Sequence, residues 1–129
     1  MLKASPESLV ARGLLLVDRA TAADHQEARR LFRSALKANA NLPLAHAGLA
    51  RSATFLYSAG IDESRERLEE ALSASERAAA LAPDDAAIRT VRALALAAAD
   101  RLTPALAEAE RAAALAPDRE DGPLALCIV

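Results

Sequence analysis

The chain is poor in almost everything that would give it chemistry of its own. It has one cysteine, Cys127, so no disulfide can close within it, and a lone thiol suits a reducing compartment. There is no tryptophan, and Phe32, Phe55 and Tyr57 are the only aromatics. They read as core or helix-crossing residues, too few for a stacking platform or an aromatic cage. No apolar run approaches the ~18 residues of a membrane span. The opening residues 1–10 lack the charged head, long apolar stretch and cleavage site of a signal peptide. A cytoplasmic location is the resulting expectation. The net charge of -2 gives no bias of sign, and the runs 28–33 and 63–67 read as solvated helix faces rather than a nucleic-acid footprint. Neither a nucleic acid nor a membrane is expected as partner.

Catalytic and metal-binding patterns are missing in the same way. There is no glycine-rich phosphate loop, no paired-carboxylate arrangement and no convergent nucleophile and base. His46 reads as helix packing or exposure, and His25, beside a cap, as exposed. No enzyme, cofactor or metal is expected.

What remains is alanine and leucine, which carry a hydrophobic content of 53%. Alanine is the strongest helix former and leucine is close behind. At 129 residues the chain suits one domain. Helices are predicted at about 6–20, 24–38, 43–59, 63–82, 86–99 and 104–116. Ser5-Pro6-Glu7 opens the first, although Gly13 weakens its run. Asp24 with Glu27 reads as a capping box for the second, whose apolar stripe is Ala28, Leu31, Phe32, Ala35 and Leu36. Gly60 stops the third, Asp62 starts the fourth, Asp84-Asp85 caps the fifth, and Thr103-Pro104 begins the sixth. The connections are short, so consecutive helices must run antiparallel.

The decisive feature is a repeat. Residues 75–84 and 109–118 are identical except at the first position, with an offset of 34 residues. An earlier relative lies at 32–41. These residues resemble the tetratricopeptide repeat family, in which a unit of two antiparallel helices keeps small residues at the crossing and a proline at the closing turn. Ala93, Ala105, Ala112 and Pro117 fall at those positions in the last unit, and Leu49-Ala50, Ala78 and Pro83 in the middle one. The first keeps Ala28, Phe32 and Ala35 but has Ala40 in place of the turn proline. Arg92 stands where the family usually has a large apolar residue, a departure that weakens the last pair or turns Ile88, Val91, Leu94, Ala95 and Ala98 inward.

The resemblance implies an all-α, short right-handed solenoid of three helix pairs over residues 6–118, with units at about 9–42, 43–85 and 86–119. The middle unit is nine residues over the family length. Residues 119–129 read as a linker or docking tail. Segments 27–36, 45–51 and 78–83 are closer still to the repeat region of bacterial adenylate-cyclase-like and transcriptional-activator-like regulators. A solenoid of this family binds a protein or peptide partner on its concave side, and an uncapped end invites a second copy. Register places Leu44, Ala47, Arg51 and Thr54 near that side in the middle unit, and Ala87, Thr90 and Ala98 in the last. Some family members grip a partner's terminal carboxylate with Lys, Arg and Asn. The matching positions here are Gly13, Val17, Gly48, Ala87 and Val91, which excludes that mode and leaves Arg51 as the charged anchor.

Overall fold

Alanine-rich helices can approach closely, and the structure, a computed structural model described over residues 4–116, shows what that closeness builds. It has six helices: α1 (Pro6–Val17), α2 (Ala22–Ala38), α3 (Pro43–Ser58), α4 (Arg65–Leu81), α5 (Ala86–Ala98) and α6 (Leu102–Leu115). No strand occurs among the described residues. Each helix packs on the next in the chain, which makes three antiparallel pairs. In addition α1 touches α3 and α3 touches α5, whereas α2, α4 and α6 make no such contacts with one another. The layer whose helices touch is the inside of the curve, so α1, α3 and α5 form the inner face of a six-helix solenoid. The expected tail, 119–129, and the turn proline Pro117 lie outside the described residues.

The core shows why small residues recur at the crossings. Ala28, Ala35, Ala45, Ala50, Ala53, Ala71, Ala78, Ala93, Ala95, Ala105, Ala109 and Ala112 are wholly excluded from solvent. Among them sits Phe32, the largest of the fully buried side chains. Its ring is the reason for two glycines. A Cβ on Gly13 of α1 would stand 2.6 Å from Phe32 Cε1, and one on Gly48 of α3 equally near that atom, with Cζ closer still. Gly13, which weakens the helix as a sequence, is therefore part of the socket for α2's aromatic anchor.

Local chemistry at the helix ends departs from expectation in several places. Thr21, not Asp24, caps α2: its hydroxyl accepts from the Asp24 amide at 3.2 Å and donates to Asp24 Oδ2 at 2.8 Å. Ser64, not Asp62, caps α4 through the Arg67 amide, while Asp62 accepts from the Ser64 amide one step earlier. Helix α6 begins at Leu102, so Thr103 and Pro104 lie inside its first turn and no side chain caps it. Ser5 and Asp85 cap α1 and α5 as their sequences imply. Helices α3 and α5 end alike. The amide of Ile61 reaches the Leu56 carbonyl, and that of Arg101 the Leu96 carbonyl, the six-to-one bond of a Schellman motif. The left-handed residue is Gly60 in the first (φ 76°) and Asp100 in the second (φ 60°).

The middle pair is the long one, and its extra length is shared out. Helix α3 has 16 residues against 13 in α5, α4 has 17 against 14 in α6, and the connection grows by three. The extension thus falls on both helices and the loop rather than on the second helix alone.

Outer and inner layers are also held by ion pairs. Arg29 of α2 meets Glu70 of α4 with two parallel hydrogen bonds, Nε to Oε1 at 2.8 Å and Nη2 to Oε2 at 3.0 Å. Arg67 donates to the same Glu70 and to Asp62. This chain of charges spans the gap between two outer helices whose backbones do not touch. In the last pair Arg89 of α5 donates to Glu108 of α6 and to the Pro83 carbonyl. Arg89 is therefore a tie between helices.

Candidate interaction groove

The inner face is not flat. Three adjoining hollows follow α3 from its N-terminal end towards its C-terminal end. The first, about 300 Å³, is bounded by Val10, Ala11 and Leu14 of α1 and by Leu42, Pro43 and Leu44, with Glu7 at its edge. The second, about 350 Å³, shares Leu14 and Leu44 with the first and adds Ala47, Gly48, Arg51, Ala87, Ile88, Thr90, Val91 and Leu94. The third, about 280 Å³, shares Arg51, Val91 and Leu94 with the second and reaches Val17, Asp18, Arg19, His25, Thr54 and Phe55. Shared walls make them one groove.

Of the seven positions expected on the concave side, Leu44, Ala47, Arg51, Ala87 and Thr90 line the middle hollow and Thr54 the third. Ala98 lines none of the three. Leu44 is half exposed, whereas Ala47 is buried and gives the groove its floor. Thr90 is tied back to its own helix, its hydroxyl donating to the Ala86 carbonyl at 3.0 Å. Val91 is nearly buried and Leu94 remains open on the same face. Ile88, Val91 and Ala95 of α5 do turn into the core, and Arg92 stays half buried.

The groove changes character along its length. Its first hollow is almost wholly apolar. At the other end stand two guanidinium groups, Arg19 and Arg51, with Asp18 beside them and Asp24 4.0 Å from Arg19. Arg51 reaches Asp18 Oδ1 only at 3.4 Å, and both side chains are well exposed. An ion pair of that length in water is worth little.

Behind the wall of the third hollow, closed off from solvent, lie two buried polar atoms without a hydrogen bond of ordinary geometry among the described residues, His25 Nδ1 and Thr54 Oγ1. His25 is not exposed as its place beside a cap suggested: it retains only 3% of its accessible surface. Its ring stacks flat on Phe55, centroids 3.9 Å apart and planes 9° from parallel. Burial pushes its pKa below the usual histidine range, outweighing the opposite effect of the Arg19 backbone carbonyl, and the nearby Arg51 charge adds to the lowering, so the ring is neutral at pH 7. Thr21, three residues earlier than the expected cap, starts the helix, so position 25 lies inside α2 and turns towards α3. His46, by contrast, is a structural residue, with Nε2 2.9 Å from the Ala40 carbonyl at the turn that lacks its proline. No group of three or more potential metal ligands occurs among the described residues, and no helix among them is long and apolar enough to cross a membrane.

No family model and no curated protein matches this chain. Solved structures do. MamA 41-end from Desulfovibrio magneticus RS-1 superimposes with a TM-score of 0.70 at 25% identity, covering 98% of this chain and 64% of that one. The MamA RS-1 ArsTM double mutant gives a TM-score of 0.70 at 24% identity, covering 98% of this chain and 65% of that one. The fold is tetratricopeptide-like. The chain spans just under two thirds of the length of the MamA chains it is similar to, so the likeness extends to the repeat architecture.

Proposed function

We propose that this chain is a protein-interaction module that holds a segment of another protein in the groove along α3. The observation that carries this reading is the continuity of that groove. Three helices from three different pairs converge on it, and its walls combine open aliphatic side chains, Leu14, Leu44 and Leu94, with an exposed guanidinium that has no strong partner of its own. Apolar contact supplies affinity to such a surface and a placed charge supplies orientation. An apolar wall without a paired nucleophile and base favours holding over turnover. Leu102, Leu106 and Leu115 of α6 are exposed as well, and we read that end as a secondary surface suited to a second copy.

The resemblance of segments 27–36, 45–51 and 78–83 to the repeat region of bacterial adenylate-cyclase-like and transcriptional-activator-like regulators supports a more specific version. In it, the groove belongs to a regulatory or sensory segment of such a system. The longer middle pair favours that version, since two of the three segments, 45–51 and 78–83, fall in it or at its end. A neighbouring reading frame encoding a cyclase or a winged-helix domain would support it.

The general reading is tested by placing a photo-crosslinking residue at Leu44, inside the groove, and at Glu76, exposed on outer helix α4, and irradiating the native cell extract. A discrete adduct from position 44 that is absent from position 76 is the expected result. Equal labelling from both positions, or adducts from position 76 alone, would refute the groove as the binding face.

A further inference from the structure

The two ends of the groove differ in chemistry, and that difference specifies an occupant. The N-terminal hollow, walled by Val10, Leu14, Leu42 and Leu44, offers carbon almost exclusively. The opposite hollow offers Arg51 and Arg19, and behind them two buried polar atoms without partners. A buried hydroxyl or ring nitrogen left without a hydrogen bond costs more than a satisfied one. Both atoms are closed off from solvent behind the hollow, so the group open to an occupant is the Arg51 guanidinium, whose only side-chain contact is a 3.4 Å approach to a solvent-exposed Asp18. Asp18 is the one carboxylate in the lining against two arginines, and Arg19 is also paired with Asp24 at 4.0 Å, which leaves Arg51 as the free charge. Guanidinium groups bind carboxylates with two directed, charge-assisted hydrogen bonds.

We propose that the groove reads a two-point signal in a partner protein: a pair of bulky aliphatic side chains in the Leu14–Leu44 hollow and one acidic side chain in the hollow formed by Arg51, Thr54 and His25. This inference rests on the interaction-module reading and adds to it the chemistry of the bound segment. The spacing follows from α3 itself. From Leu44 to Arg51 and Thr54 is seven and ten residues, or about 10–15 Å at the helical rise. An extended segment covers that distance in about three to five residues, a helical one in about seven to ten. The carboxylate gives the exposed Arg51 guanidinium a bidentate partner. Burial keeps the His25 ring neutral in the free protein, so it presents no competing positive charge that would already have drawn in a counter-ion.

The probe is a set of synthetic fluorescein-labelled peptides. Each has a Leu-Leu pair at one end and a single Glu moved stepwise away from it, on either Ser/Asn or Ala/Gln spacers. Anisotropy is measured against the full chain. Binding should peak at a separation of three to five residues on the extended spacers and seven to ten on the helical ones. Replacing the Glu by Gln at the best spacing should weaken binding about tenfold. Arg51→Gln should bring the Glu peptide down towards the Gln peptide, with unchanged circular dichroism, because the side chain is exposed.

Peptides that bind, are lost on Leu44→Asp, and show no preference for Glu at any spacing would overturn the acidic subsite while leaving the interaction reading in place. Binding by none of them, with no amide shifts along α3, would overturn both. Sedimentation showing a dimer that Leu44→Asp dissolves would make a second copy the occupant and overturn the partner signal.

Discussion

Adding a single methyl group at Gly48 should unfold this protein more easily, although everything local to α3 says the reverse. Glycine inside a helix costs about 1 kcal/mol relative to alanine, so Gly48→Ala in an isolated α3 would be stabilising by that amount. In the folded chain the new Cβ would meet the Phe32 ring at 2.6 Å from Cε1 and nearer still to Cζ. Ordinary carbon contacts lie at about 3.5–4.0 Å, so the ring must retreat by about 1 Å. It has nowhere to go: Gly13 of α1 already abuts the same ring, and the side chain is wholly buried. Overpacking typically costs about 1–3 kcal/mol, and a ring with no room to retreat belongs at the upper end, against the propensity gain of about 1 kcal/mol. A net loss of about 1–2 kcal/mol is therefore expected, read as a lower midpoint in urea by far-ultraviolet circular dichroism at unchanged slope. The companion is Phe32→Leu, which destabilises by itself and frees the space. In that background Gly48→Ala should become neutral or favourable, a coupling of about 2 kcal/mol of the kind expected for residues in direct contact. Gly48→Ala that stabilises the wild type, or additive effects in the double variant, would mean that the ring does not occupy this socket.

Three further outcomes follow from the helix ends and the buried charges. Asp100→Gly should stabilise by about 0.5–1 kcal/mol, because glycine adopts the left-handed conformation without steric cost; Gly60→Ala at the equivalent turn should destabilise by a similar amount, and equal effects of one sign would contradict the two motifs. Burial disfavours the charged form of Glu70, but the hydrogen bonds and charges of Arg29 and Arg67 outweigh it and hold its pKa below 4.5. Its folded value lies below its unfolded one, so its contribution is present above about pH 4.5 and lost as the pH falls through the lower folded value; Glu70→Gln should lower the neutral-pH midpoint and flatten the acid limb, measured by urea titrations at several pH values. His25 has the same sign by a different cause: desolvation lowers its pKa from 6.5, so stability should decline as the pH falls below about 6.5. His25→Phe should remove that slope, and a slope that persists unchanged would place the titrating group elsewhere.

The pairing of helices was legible in the chain because it depends on local and periodic signals. The 34-residue offset between two copies of an Ala-rich, Pro-Asp-ended segment marks the unit, the stripe from Ala28 to Leu36 marks the buried face of α2, and Gly60 marks the end of α3. The register of α3 was legible too. Its inner face follows from spacing along one helix, and Leu44, Ala47, Arg51 and Thr54 lie on the side of α3 that borders the groove.

Other features have no local signal. Asp100 adopts a positive φ that its neighbours in sequence do not require, and the Schellman bonds around it form only because α5 must turn back at once to meet α6. Gly13 reads as a defect until α2 brings Phe32 against it. His25 reads as solvent-exposed until Phe55 of α3 closes over its ring. The Arg29–Glu70 bond joins residues 41 apart in the chain, on helices whose backbones never touch. By itself the sequence determined the helices, their pairing and the face each presents, since those follow from backbone propensity and the 3.6-residue period. Only the tertiary structure decided where two helices leave no room for a Cβ, which charges find partners, and which polar atoms are buried without one. Each of these depends on distances between side chains that no spacing along a single helix can express.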